Sequence, residues 1–251
     1  MAKEYLIAGN WKMFKTVAES REFVLALAKE FTAAPGLEVA VFPPFTALAA
    51  THGLEAKIKI GAQNMFFEEK GAFTGEISPL MLQELADFVL VGHSERREIF
   101  AESDEDVNKK LKAAMKFNLP PVLCVGETLP EREAGETLSK IKRQLEKGLQ
   151  GVAGVDMGKI TVAYEPIWAI GTGRNATPGQ AQEVHHFIRQ TLREMAPGIK
   201  IKILYGGSVK PENSFELLSQ EDISGVLVGG ASLKVDQFSA IIQNGLKLLR
   251  A

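Results

Sequence analysis

The chain has 251 residues, one cysteine, four histidines and a formal net charge of −2, with apolar and charged fractions close to globular averages. These values exclude a disordered or fibrous chain, an internal disulfide, and the dense basic surface that holds nucleic acid or anionic lipid. The N-terminal apolar run ends by Asn10, too short for a leader, and no run is long enough to cross a bilayer, so a soluble, cytoplasmic protein is expected.

Eight short apolar runs succeed one another: Tyr5–Gly9, Leu37–Phe42, Ile58–Ala62, Phe88–Gly92, Val122–Val125, Ile160–Tyr164, Ile201–Tyr205 and Gly225–Val228. They are nearly continuous and rich in Val and Ile rather than alternating, the pattern of strands buried on both faces of a parallel sheet. Helical spacing fills the intervals. Ala18 to Phe31 sets Phe23, Leu27 and Phe31 four residues apart. Lys109-Lys110 and Lys140 to Arg143 lie among acidic neighbours and read as solvated helix faces. Thr177-Pro178 is an N-cap followed by proline at the first helical position, and Pro211 after Lys210 opens a further helix. Parallel strands need such crossovers. Eight units with no linker or composition break predict an α/β fold, one closed (β/α)8 barrel forming a single domain over residues 1–251. An open doubly wound sheet is the alternative, but its usual Gly-x-Gly-x-x-Gly is replaced by Gly9-Asn10-Trp11-Lys12.

Two connections stand out. Gln63 to Ser78 is longer than most loops, and loops of that length are usually functional or disordered. Pro166-Ile167-Trp168-Ala169-Ile170-Gly171-Thr172-Gly173-Arg174-Asn175-Ala176 joins large apolar residues to glycines. A permanently exposed loop gains nothing from that apolar surface, whereas a lid that packs on the body does.

Active sites of such barrels lie at the carboxyl ends of the strands. Those ends carry Asn10 and Lys12, Gln63-Asn64, His93, Cys124, Glu165, Gly206-Gly207-Ser208 and Gly229-Gly230. Glu165, entering the lid, is the candidate general base, since desolvation under a lid would raise its pKa toward neutrality; most glutamates are simply exposed. His93 precedes Ser94-Glu95-Arg96-Arg97, which looks like a helix start, and the positive helix end would keep its ring neutral, a donor for a carbonyl becoming an enediolate. A structural histidine is the competing reading. Lys12 supplies fixed positive charge or is an ordinary exposed lysine. Asn10 donates to a substrate oxygen or serves the turn. The glycine-rich ends of strands seven and eight suit a phosphate, because backbone N–H groups can approach an anion there; a lone Gly-Gly would be no more than a tight turn. Cys124, inside an apolar strand, reads as a small core residue. No cluster has metal-ligand spacing, so no metal is expected.

At this point whole strings match a known family. Ala8-Gly9-Asn10-Trp11-Lys12-Met13, Val91-Gly92-His93-Ser94-Glu95-Arg96-Arg97, Ala163 to Gly173, Tyr205-Gly206-Gly207-Ser208-Val209 and Leu227 to Leu233 resemble triosephosphate isomerase from end to end, in order and spacing. The resemblance implies a TIM barrel interconverting dihydroxyacetone phosphate and glyceraldehyde 3-phosphate in glycolysis and gluconeogenesis. This family is itself a familiar illustration of a glutamate base, a neutral histidine and a closing loop, so those roles come by resemblance. It implies that Glu165 moves the carbon proton, His93 polarises the carbonyl, Lys12 with Asn10 steadies the enediolate, and Glu95 supports the site from behind. Backbone N–H groups of Gly171, Ser208, Gly229 and Gly230 would hold the phosphate. No cofactor is implied, because only protons move. Gln63, Thr74 and Glu76 belong to a segment that enters a neighbouring subunit, implying a homodimer whose Thr74 packs near the partner's site. Arg174-Asn175 departs from the pairing expected at the lid's far hinge and leaves lid kinetics open. The rival readings are another sugar-phosphate barrel, such as a Schiff-base aldolase using Lys12, and a non-catalytic binder.

Overall fold

The computed structural model describes residues 3–170 and 176–250. Gly171, Thr172, Gly173, Arg174 and Asn175 of the expected lid lie outside the described residues. Eight strands form: β1 (Tyr5–Asn10), β2 (Leu37–Phe42), β3 (Lys59–Ala62), β4 (Phe88–Val91), β5 (Pro121–Val125), β6 (Thr161–Tyr164), β7 (Lys202–Tyr205) and β8 (Gly225–Val228). They pair in sequence order, all parallel, and β8 closes on β1 through Leu6↔Gly225 to Gly9↔Val228. The (β/α)8 barrel expected from the apolar runs is therefore the fold.

The helices in chain order are α1 (Val17–Leu27), α2 (Leu48–Thr51), α3 (Pro79–Leu82), α4 (Ser94–Ile99), α5 (Asp104–Lys116), α6 (Leu129–Glu133), α7 (Thr137–Gly148), α8 (Gly154–Met157), α9 (Pro178–Met195), α10 (Pro211–Ser219) and α11 (Val235–Arg250). Thr177 caps α9 as expected: its hydroxyl accepts the Gln180 N–H, and Gln180 returns a carbonyl to the Thr177 N–H. Successive strand residues point to opposite faces, and both faces are buried. Leu6, Ala8, Ala40, Phe42, Leu90, Val122, Cys124, Ala163, Leu204 and Leu227 pack inside the barrel, while Tyr5, Ile7, Val39, Val91, Val162 and Ile203 pack outward under the helices. That double burial is why the strands read as unbroken apolar runs.

Three local expectations change. The run Phe88–Gly92 ends as a strand at Val91, because Gly92 turns to φ +72°. The helix expected to reach Phe31 stops at Leu27, although Phe31 remains buried. Lys110, expected on a solvated face, is only 5% exposed. Its ammonium lies 2.6 Å from Glu102 Oε2 and 2.8 Å from Asn64 Oδ1, so an internal carboxylate rather than water holds its charge.

Candidate active site

The site is assembled where the strands end. Asn10 is the last residue of β1, and its Oδ1 accepts the Lys12 N–H at 2.9 Å. Lys12 itself takes φ +51°, a left-handed conformation unusual for a residue with a side chain. Its ammonium meets Glu95 Oε1 at 2.6 Å. Glu95 lies in the first turn of α4, so the expected support from behind the site corresponds here to a direct contact with Lys12. Trp11 is fully buried and donates Nε1–H to the Ser232 carbonyl, tying the end of β1 to the loop after β8.

His93 is the N-cap of α4. Its Nδ1 accepts the Glu95 N–H at 3.3 Å, which leaves the ring proton on Nε2. Nε2 faces Glu165 Oε1 at 2.9 Å, and the other carboxylate oxygen of Glu165 accepts the Ser94 N–H at 2.8 Å. Histidine and glutamate, 72 residues apart in the chain, are thus brought into direct contact, closer than the shared barrel end that the sequence led one to expect. Two groups behind them fix that meeting. The Gly92 N–H donates to Glu102 Oε1 at 3.1 Å, and Arg97 Nε donates to the Gly92 carbonyl at 2.8 Å, so the peptide units before His93 are held. On the other side, a Cβ at Gly126 would lie 1.8 Å from the Glu165 carbonyl oxygen. Only glycine lets the chain leaving β5 pass that close to the base.

The electrostatics correct one expectation. Burial does press the Glu165 pKa upward, but the His93 ring, the Ser94 N–H and Lys12 outweigh it, and the group lies below the ordinary carboxylate range. For His93, burial works against the charged ring, yet the Glu165 carboxylate and Glu95 more than compensate, and its pKa lies above the ordinary value despite Lys12. The expected helix effect on His93 is thus overridden while Glu165 stands against it. Cys124 is fully buried, and burial raises its thiol pKa, as suits a core residue rather than a nucleophile.

A cavity of about 740 Å³ is lined by Asn10, Lys12, His93 and Glu165 together with Ser208, Gly229 and Gly230, and a Cβ built on Gly229 would lie 3.7 Å from Lys12 Cε. Ile170 and Leu227 add apolar side chains to its lining. Gly230 opens a short 3-10 turn, Gly230–Leu233, and Ser208 precedes α10. Both line the cavity close to the starts of helical turns. The described part of the expected lid starts in another 3-10 turn, Ile167–Ala169. Its base rests on Glu127, which the sequence reading passed over: Oε1 of this buried residue accepts Trp168 Nε1–H at 2.9 Å, Tyr164 O–H at 3.0 Å and Arg132 at 3.2 Å. Among the described residues no group of three or more His, Cys, Asp or Glu is placed to hold a metal ion.

The residues expected to contact a neighbour divide. Thr74 and Glu76 are exposed at the tip of the loop after β3, whose Phe66, Phe67 and Phe73 rings pack on each other. Gln63 instead uses its amide within its own chain, donating to the Lys12 and Phe42 carbonyls at 2.8 Å each.

The comparisons agree with this geometry. The family model for triosephosphate isomerase matches residues 5–245. A protein named triosephosphate isomerase from Carboxydothermus hydrogenoformans is 53% identical over 248 residues, 96% of this chain and 98% of that protein. One of the same name from Moorella thermoacetica is 52% identical over 242 residues, covering 94% and 97% of the two chains. One from Alkaliphilus metalliredigens is 53% identical over 243 residues, covering 94% and 98%. A likeness that spans the barrel from its first strand to its last helix leaves one conclusion: this chain belongs to the triosephosphate isomerase family.

Proposed function

We propose that the protein interconverts dihydroxyacetone phosphate and D-glyceraldehyde 3-phosphate by proton transfer through an enediolate. The observation that carries this reading is the contact of Glu165 with His93 Nε2 in a cavity that Lys12, Ser208, Gly229 and Gly230 also line.

The division of labour follows from the groups. A substrate carbonyl oxygen placed between His93 Nε2 and the Lys12 ammonium takes over the Nε2–H and releases Glu165 from the ring. The freed carboxylate then removes a proton from the carbon beside that carbonyl. The electron pair moves to oxygen, where Lys12, the Asn10 amide and His93 meet the developing charge. With Glu165 turned to substrate, burial and Lys12 again favour a neutral ring, able to donate to one oxygen and then recover a proton from the other. Glu165 returns the proton to the neighbouring carbon, and the oxidation state of the molecule is unchanged. Phosphate contacts at Gly171, Ser208, Gly229 and Gly230 hold the reacting carbons in place. The lid, Pro166 to Ala176, excludes water and keeps the enediolate from losing phosphate. Glu95 positions Lys12.

The enzyme acts as one domain, in the cytoplasm, and as a homodimer. Support for the dimer is exposed apolar surface: Met13 and Phe14, just after Lys12, are 94% and 56% exposed, and Phe73 in the loop after β3 is 43% exposed. A second copy with its loop tip at Thr74 and Glu76 lying over Met13 and Phe14 would cover all three.

The test is steady-state turnover of both trioses by protein treated with a chelator, with sedimentation at assay concentration. Turnover in both directions at dimer mass is expected. Tight triose-phosphate binding without turnover would favour the binder. Borohydride trapping of substrate on Lys12 would favour the aldolase.

A further inference from the structure

The backbone of Glu165 is held by a row of peptide units whose outer end is a side chain. β4 pairs with β5 only as far as Val91↔Leu123, because Gly92 turns away at φ +72°. β5 runs on to Val125, so its last polar groups on that side have no strand to meet. Side chains take them instead. Arg97 Nη2 reaches the Cys124 carbonyl at 3.4 Å, and Gln144 Oε1 accepts the Gly126 N–H at 2.8 Å. Gln144 comes from α7, where it lies on the buried face with Ile141 and Leu145 and is only 3% exposed. Burying an amide there is costly unless it is bonded.

The Gly126 N–H shares one rigid plane with the Val125 carbonyl, and in a trans peptide the two point in opposite directions. That carbonyl accepts the Glu165 N–H at 2.8 Å. The next plane repeats the pattern: the Tyr164 carbonyl, joined to the Glu165 N–H, accepts the Gly206 N–H at 2.7 Å. One row of three hydrogen bonds thus runs from Gln144 through the ends of β5 and β6 to the end of β7, each bond polarising the next. The geometry points to Gln144 as a positioning residue for Glu165. Its oxygen sets the tilt of the Val125–Gly126 plane, and that plane sets where the backbone of the base sits. This rests on the reading of Glu165 as the base. One residue further, the Glu127 carbonyl accepts the Ile167 N–H at 3.0 Å, so a change of tilt also reaches the start of the lid.

The test is a double-mutant cycle. Gln144→Met keeps the length and removes the acceptor; Gln144→Glu keeps an acceptor oxygen at the same reach, ionised or not. Each is made alone, and Gln144→Met also with Glu165→Ala. The readouts are kcat and KM for both triose phosphates, inhibition by inorganic phosphate, and thermal midpoint. Gln144→Met should lower kcat on the order of tenfold to a hundredfold, as expected when a catalytic group is displaced by about 1 Å. Inhibition by inorganic phosphate should stay within about twofold, because Ser208, Gly229 and Gly230 lie outside the row. Gln144→Glu should restore most of the lost kcat. Added to Glu165→Ala, Gln144→Met should lower the residual turnover by no more than about twofold. A merely structural amide would lower the thermal midpoint and leave the kcat of the folded enzyme at its wild-type value, which would overturn the proposal. Equal losses with and without Glu165, or a loss that the glutamate does not relieve, would overturn it too. If Gln144→Met fails to fold, Gln144→Asn, which keeps the amide and withdraws it by one methylene, decides by the same criteria. Undiminished turnover in Glu165→Ala alone would overturn the reading of Glu165 itself, and the inference with it.

Discussion

Glu102→Ala removes a buried carboxylate that answers three donors. Its Oε2 lies 2.6 Å from the Lys110 ammonium and 2.7 Å from Arg96 Nε, and its Oε1 accepts the Gly92 N–H. Arg96 is partly exposed and can turn to water. Lys110 cannot, and its ammonium would keep the Asn64 hydrogen bond and the more distant charge of Glu76 but lose its contacting carboxylate. Breaking a buried pair from one side typically costs about 3–5 kcal/mol. For a chain of this size each kcal/mol lowers the thermal midpoint by about 2–4 °C, so a fall of roughly 6–20 °C is expected at neutral pH. Circular dichroism melts read it directly. The double variant Glu102→Leu with Lys110→Met removes both charges and should recover much of the loss. The pH dependence has a definite sign. Burial opposes ionisation of Glu102, but Lys110 and Arg96 outweigh it and its folded pKa is depressed. The stability it contributes is therefore present above the unfolded carboxylate value of about 4.3 and is lost as pH falls through the folded value. The gap between wild type and Glu102→Ala should close in acid. A loss under about 1 kcal/mol, well below that of a broken buried pair, would refute this account of the network, as would a gap that persists in acid.

Three further outcomes follow from the site. Gly126→Ala places a Cβ where the Glu165 carbonyl oxygen lies 1.8 Å away, so it should lower kcat/KM by about a hundredfold, the usual cost of a 1 Å displacement of a catalytic group; wild-type kinetics would show that β5 can yield. Lys12→Met should cost about 2.7–4 kcal/mol of transition-state stabilisation in kcat/KM, the range for one lost oxyanion donor; a loss confined to KM would reduce Lys12 to phosphate binding. His93 should titrate above its ordinary value in the free protein and below it in Glu165→Gln, because burial is opposed mainly by the Glu165 carboxylate. Nitrogen NMR of the ring reads the sign, and an unchanged titration would deny the coupling.

The barrel was legible because strands buried on both faces leave unbroken apolar runs, and eight such runs alternating with helical spacing leave few alternatives. The chemistry at the strand ends was legible because the fold fixes where to look: reading the last residues of the strands gives Lys12, His93 and Glu165. Their supports were not. Gln63, Glu102 and Lys110 act through partners 6 to 51 residues away, and nothing in their neighbours marks them as internal. Lys110 in particular has the surroundings of a solvated lysine, and only the packing of α5 on the barrel puts it beside Glu102. Glu127 was within reach. The fifth strand runs on to Val125, so Gly126-Glu127, not Cys124, stand at its mouth. The lowered pKa of Glu165 was out of reach, since it depends on which N–H groups the carboxylate meets across the barrel.

The central claim is that Glu165 moves a carbon-bound proton. It is tested most directly by incubating chelator-treated protein with dihydroxyacetone phosphate in D2O and following the carbon-bound protons by NMR, with Glu165→Gln in parallel. The account predicts glyceraldehyde 3-phosphate, deuterium on the carbon beside the carbonyl, and near loss of both in a folded Glu165→Gln. Product and deuterium at wild-type rates in that variant would contradict it, because some other group would then be the base.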